Sequence, residues 1–198
     1  MALPDNQLST AAAPGPFAGA GALPITQWVD YEDGGIALQD ASKGLLYQVW
    51  TARIERNKTT GDDEIWVGAE SVDKFLVHTA ANITEVSLAF DRNMNLAVAY
   101  VQGGTAYLYW YDTTVPGYVT TNLGTDVVTP RVTHDDKRDG RGGSSDIILA
   151  YIKNGNLYYK QQRDRYETER LLQASVGSDG IIKVGMSRQN RLQFLLRH

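Results

Sequence analysis

Four carboxylates, Asp135, Asp136, Asp139 and Asp146, fall within the run HDDKRDGRGGSSD at residues 134–146, close enough together to offer oxygen ligands to a Ca²⁺ ion. The spacing is not that of an EF-hand loop, which needs ligands at alternating positions and a closing Glu. Lys137, Arg138 and Arg141 in the same run would repel a cation. The run reads instead as a long solvated loop suited to partner contact, with Asp135, Asp136, Arg138 and Arg141 as the contact candidates. The three histidines, His78, His134 and His198, share no metal-ligand spacing. Asp40, Asp91 and Asp135 each follow the first strand of a repeated unit, where a carboxylate oxygen can accept from turn N–H groups.

A second chemistry could come from the aromatic run at residues 107–111, Tyr-Leu-Tyr-Trp-Tyr. Tyr109 and Trp110 are candidates to stack on sugar rings, although aromatics on such a strand more often pack between sheets. Glycoside hydrolysis would need a carboxylate pair about 5–10 Å apart, and nothing singles out a pair among the 23 acidic residues. The aspartate turns resemble those of sialidase-like propellers, but the Ser-x-Asp-x-Gly-x-Thr-Trp form is absent. No Gly-Lys-Ser/Thr phosphate loop, Gly-x-Ser-x-Gly elbow or His-Glu-x-x-His occurs. The expectation is a non-enzymatic chain with no catalytic residues, cofactor or metal.

Composition bounds the setting. The 198 residues suffice for one substantial domain or several repeats sharing a core. Apolar residues make up 42 % and charged residues 21 %, an ordinary globular balance. The net charge of −4 is unevenly placed: 6 Lys/Arg against 15 Asp/Glu over residues 1–130 (−9), and 13 against 8 over residues 131–198 (+5). This polarity suits head-to-tail contact between copies. Nucleic acid is disfavoured, because the basic residues are interleaved with acidic ones. There is no cysteine, which removes disulfides, thiolate metal sites and a Cys nucleophile together. No apolar run approaches the roughly 18–20 residues of a membrane span, and no Lys or Arg precedes Lys43 to start a secretory signal. A soluble protein made in a cytoplasm is expected.

The elements that must position these residues follow from a repeat. In VSLAFDRNMNLAVAYVQGGTAYLYWY (residues 86–111), three β-rich runs are separated by two turn signals. Ala99-Tyr100, Gly104 and Tyr107 recur 51 residues later as Ala150-Tyr151, Gly155 and Tyr158. Four units emerge. First strands are expected at 36–40, 86–91, 131–135 and 183–187, and second strands at 45–50, 96–101, 147–152 and 192–196. Third strands are expected at 64–67, 106–111 and 157–161, and fourth strands at 75–79, 118–122 and 166–171. Residues 25–29 read as one further fourth strand preceding the first unit. Four short strands per 40–50 residues is the mark of β-propeller blades. The fold class is therefore all-β, with repeated four-stranded antiparallel units that are propeller-like, forming a small ring or an open arc. Residues 164–172 have some helical spacing, but alignment with residues 118–123 favours a strand.

Residues 1–24 are rich in Ala, Gly and Pro and cannot bury enough surface to fold alone. The division is an extended arm at 1–24 and a repeat domain at 25–198. The arm is expected to dock on a partner or neighbouring subunit through Leu3, Leu8, Phe17 and Leu23.

Residues 86–172, above all SSDIILAYIKNGNLYYKQQRDRYETE, resemble segments of tail and baseplate structural proteins of tailed bacteriophages. That resemblance covers somewhat under half the chain and transfers no functional residues. It implies a virion structural protein, a tail-tip, adaptor or fibre-associated subunit assembled in the host cytoplasm, whose partners are other virion proteins and copies of itself. The alternative is a carbohydrate-binding, host-attachment or weakly glycosidic module that binds a surface glycan through Tyr109 and Trp110.

Overall fold

A computed structural model of the protein describes residues 35–38, 47–69, 72–91, 95–134, 147–177, 180–186 and 191–197. The chain folds into four antiparallel sheets in sequence order, and within each sheet neighbouring strands are consecutive in the chain. The first sheet holds β1 (Gly35–Leu38), β2 (Tyr47–Arg56), β3 (Asp63–Ala69) and β4 (Val72–Ala80). The second holds β5 (Ile83–Phe90), β6 (Leu96–Gln102), β7 (Thr105–Asp112) and β8 (Gly117–Gly124). The third holds β9 (Val127–His134), β10 (Ile147–Lys153), β11 (Asn156–Gln161) and β12 (Arg170–Gln173). The fourth pairs β13 (Ile181–Met186) with β14 (Leu192–Leu196). Among the described residues there is no α-helix, only a single 3-10 turn at Gln162–Asp164.

The all-β expectation holds, and so does the assignment of consecutive strands to repeated four-stranded units in the first three sheets. One assignment needs correction. The outermost strand of the third sheet spans Arg170–Gln173, not residues 166–171. Residues 162–164 form the 3-10 turn instead, and Arg165 and Tyr166 adopt left-handed φ values of 57° and 58°. The expected strand at 25–29 and the arm with Leu3, Leu8, Phe17 and Leu23 lie outside the described residues. So do Asp135, Asp136, Arg138 and Arg141.

The 51-residue repeat has a structural meaning. Tyr100 faces Tyr107 across the β6–β7 ladder, and Tyr151 faces Tyr158 across β10–β11. The rings stack in both, with centroids 5.4 Å and 6.2 Å apart, and Tyr100 and Tyr151 are buried alike. Each ladder closes on a two-residue turn with both φ positive: Gly103 (55°) and Gly104 (81°), then Asn154 (51°) and Gly155 (71°). That geometry matches the right-handed twist of hairpin strands and selects Gly and Asn.

Three apolar layers lie between the four sheets. Ala52, Ile65 and Val67 of the first sheet meet Val86, Leu88, Leu96, Val98 and Tyr100 of the second. Ala97, Ala99, Ala106, Leu108 and Trp110 of the second meet Ile147, Leu149 and Tyr151 of the third. Ala150, Ile152 and Leu157 of the third meet Ile181 and Val184 of the fourth. Alternate residues of β6 and β10 thus enter different layers, so these strands read as continuous apolar runs without polar alternation. Small alanines on the second sheet leave room for the large side chains of the third. Each large apolar side chain so buried stabilises the fold by about 1.5–3 kcal/mol.

Polar pins fix one sheet on the next. The backbone N–H of Ile83 donates to Asp63 Oδ2 at 3.0 Å, that of Val132 to Ser87 Oγ at 3.1 Å, and that of Ile181 to Thr129 Oγ1 at 2.8 Å. Each pin satisfies an N–H on the first strand of a sheet from a side chain of the sheet before it, a donor that would be costly to bury unpaired. Thr129 sits in a β9 bulge at φ 48°, an unfavourable region for a β-branched residue. Its bond to Ile181 offsets that strain.

The repeated turns make a paired prediction. A Cβ added at Gly104 or Gly155 meets nothing within 4 Å, so any cost comes from φ alone. Gly104→Ala and Gly155→Ala should each lower unfolding stability by about 1 kcal/mol, and by similar amounts. Urea denaturation checks this, and a neutral effect at either turn contradicts the equivalence.

Candidate interaction surface

The turn at residues 162–166, which delays the strand expected at 166–171, ties the third sheet to the second. Gln162 donates from Nε2 to Asp91 Oδ2 at 3.3 Å, and its Oε1 accepts from the Ile147 N–H at 3.1 Å. Arg165 Nη2 donates to Asp112 Oδ2 at 2.7 Å. The left-handed pair at 165–166 turns Tyr166 inward, where its ring meets Trp110 edge-on at 5.0 Å. Arg170 Nη2 closes the turn on Asp164 Oδ2 at 2.6 Å. The Gln-Arg-Asp-Arg-Tyr run at residues 162–166 is therefore a clamp between sheets.

Asp91 does what its position after a strand suggests. Its Oδ1 accepts from the Asn95 N–H at 2.9 Å and its Oδ2 from Asn95 Nδ2 at 3.0 Å. Asp40 and Asp135 lie outside the described residues. His78 Nε2 lies 2.9 Å from Gln102 Oε1, and its ring sits 5.0 Å from Tyr100, which makes it part of the first inter-sheet layer. Among the described residues, no group of three or more His, Asp or Glu side chains is arranged to hold a metal ion. No helix among them is long and apolar enough to cross a membrane.

One set of titratable side chains converges. Tyr151 Oη donates to Glu169 Oε2 at 2.5 Å, while Lys153 Nζ lies 3.5 Å from Glu169 and 3.6 Å from Asp126. Burial, then the Glu169 carboxylate, pushes the Tyr151 phenol far above its ordinary value. Tyr100, its counterpart in the repeat, is pushed up to about 12 by burial and hydrogen-bonds Thr120 on the fourth strand of its own sheet. The two tyrosines do similar jobs with different partners: Tyr100 pins its strand to β8, and Tyr151 pins its strand to the residue leading into β12.

The aromatic run divides between two layers. Trp110 is buried, and its Nε1 donates to Thr121 Oγ1 at 3.0 Å. The expected sugar-stacking role of Trp110 is thereby corrected, because a side chain enclosed between sheets has no open ring face. Tyr109 is half-buried and packs against the first inter-sheet layer. Its ring stacks on Tyr118 at 4.9 Å with planes 6° apart, and Tyr111 meets Tyr118 edge-on at 5.3 Å. Tyr118 is 41 % exposed and is the open member of this group.

Most exposed large apolar side chains lie on the last strand of a sheet: Phe75 and Leu76 on β4, Tyr118 on β8, Leu171 and Leu172 on β12, and Leu195 on β14. Sequence reasoning did not single these out. Their signal was faint, since Leu171-Leu172 and Phe75-Leu76 read as ordinary core residues until the strand edge is known. The chain matches no protein-family model, no curated protein and no solved structure. Fold and site together define an all-β protein of stacked antiparallel meanders with apolar outer strands.

The clamp carries a pH prediction. Hydrogen bonds from the Thr114 hydroxyl and N–H, with Arg165, hold the Asp112 carboxyl below its ordinary 3.8. Arg56 and the Ile83 N–H do the same for Asp63. A depressed folded value means that the unfolded chain binds more protons in acid. The stabilisation is thus complete above the unfolded value and is lost as pH falls through the folded one. Melting temperature should be level down to about pH 5 and fall below about pH 4. Asp112→Asn should destabilise the protein at pH 7 and make the acid fall shallower, and an unchanged acid slope in thermal melts would contradict this role.

Proposed function

We propose that this chain is a non-catalytic structural subunit of a phage virion, tail-tip, adaptor or fibre-associated, built on a β-propeller-like ring or arc. It assembles through its N-terminal arm and its β-repeat surface with other virion proteins and copies of itself. The observation that carries this reading is the concentration of exposed apolar side chains on the outermost strands, a row of contact points on a rigid body. The inter-sheet layers and the pins at Asp63, Ser87 and Thr129 supply the rigidity. The resemblance of residues 86–172 to tail and baseplate proteins supplies the setting. Each copy adds a modest interface, and symmetry multiplies it. Deleting residues 1–24 should leave a folded, soluble domain with an unchanged circular dichroism spectrum that no longer incorporates into particles. Normal incorporation of the truncated chain, read by immunoblot of purified particles, counts against tethering by the arm.

A second reading, glycan binding at the host surface, draws on the exposed Tyr118 ring stacked on Tyr109. On a glycan array, Tyr118→Ala should abolish any reproducible signal while Val115→Ala leaves it intact. Absence of binding by the unaltered protein removes this reading.

A further inference from the structure

The fourth sheet differs from the other three. Each of those has four strands, whereas the described residues of the fourth form two, β13 and β14. β13 lies against β9 and β10, and Leu192, Phe194 and Leu196 of β14 extend the third apolar layer but remain only partly covered. On the opposite face Leu195 is 45 % exposed. β14 therefore offers a second edge of backbone N–H and C=O groups beside a half-covered apolar layer, a surface primed for strand addition.

The sequence holds a segment of matching composition and place. In the first three sheets, the outermost strand is separated from the first strand of the next sheet by residues 81–82, 125–126 and 174–180 respectively. Ile25-Thr-Gln-Trp-Val29 is rich in β-branched and aromatic residues, and it precedes β1 by residues 30–34, an interval within the same range. It occupies the chain position of an outermost strand in a sheet preceding the first. Charge points the same way. Residues 1–34 carry Asp5, Asp30, Glu32 and Asp33 with no Lys or Arg, whereas residues 180–197 carry Lys183, Arg188, Arg191 and Arg197 with no Asp or Glu.

We propose that residues 25–29 of one copy add to the edge of β14 that no described strand pairs, in a second copy, joining copies head to tail. A second copy is the occupant because the described packing runs only from each sheet to the next. Among the described residues, no appreciable packing joins the fourth sheet to the first within one chain. Residues 30–34 span at most about 20 Å, so a chain pairing with its own β14 would need those two sheets side by side. A head-to-tail contact of this kind closes into a ring or continues as a filament. The inference needs the stacked-sheet geometry and not the virion assignment, so it can fail while that assignment stands.

The absence of native cysteine makes the test direct. Gln27→Cys and Gln193→Cys are prepared as separate full-length proteins, with Leu195→Cys covering the alternative register. They are mixed under mild oxidation after circular dichroism confirms that each is folded. The expected product is a disulfide-linked heterodimer of the Gln27→Cys chain with one of the two β14 variants. Light scattering of the unaltered protein should show association that weakens at least tenfold in Arg191→Glu/Arg197→Glu. An internal bridge on a monomeric Gln27→Cys/Gln193→Cys chain would overturn addition between copies. Failure to cross-link at both 193 and 195 would overturn strand addition altogether.

Discussion

The structure depends on burying both faces of a sheet at once. A lone four-stranded meander has one face too many, and this chain resolves that by laying each sheet on the one before it. The requirement explains why β6 and β10 are apolar at successive positions, where a half-exposed strand would alternate. It also explains the unequal sharing of volume between sheets, with Ala97, Ala99 and Ala106 facing Ile147, Leu149 and Tyr151. Layers of that kind resist sliding only if something fixes their register. The bonds at Asp63, Ser87 and Thr129 do so by tying a backbone donor of each sheet to a side chain of its predecessor.

The clamp at residues 162–166 extends the same logic to the loops. A regular strand there would have continued the β11–β12 ladder and left the end of the second layer open. The 3-10 turn shortens β12 and places Tyr166 over Trp110, while Gln162 and Arg165 reach Asp91 and Asp112. The depressed carboxyl value of Asp112 is one consequence of this geometry. The cost is a pair of left-handed residues at Arg165 and Tyr166, tolerated because the buried ring and the ion pair over-determine the conformation.

Much of this was legible in the sequence. The 51-residue interval from Tyr100 and Tyr107 to Tyr151 and Tyr158 marked equivalent hairpins because two-residue turns leave no room for a shifted register. The turn chemistry of Gly103-Gly104 and Asn154-Gly155 fixed their ends. Strand limits were less legible: β5 begins at Ile83 and β2 runs on to Arg56, because Thr84, Glu85, Arg53 and Glu55 look like loop residues until their partners are known. Arg131 and Glu85 show why, since their 2.8 Å ion pair joins strands 46 residues apart. The fate of Trp110 was hidden for the same reason. Alternation told that Tyr109 and Trp110 face opposite ways, but not that both faces are covered.

A stack of sheets has two ends, and these ends are finished differently. On the first sheet, Lys74 bonds Glu55 at 2.7 Å and lies 4.6 Å over the Trp66 ring, while Trp66 Nε1 donates to Glu64 at 2.9 Å. That is a polar lattice of the sort that caps a repeat array against solvent. On the fourth sheet, β14 leaves Leu195 exposed and Leu192, Phe194 and Leu196 partly so, in a segment of purely basic charge. Repeat architectures depend on nearest-neighbour interfaces, so a terminal unit with an apolar layer on one side and an open edge on the other is the least stable part of the array. Whatever covers that edge adds stability beyond its own contacts, because it shields the third apolar layer and pairs groups that otherwise only water can satisfy. Among the described residues, β14 is therefore where association contributes most to the fold, and the polar face of the first sheet is where it contributes least.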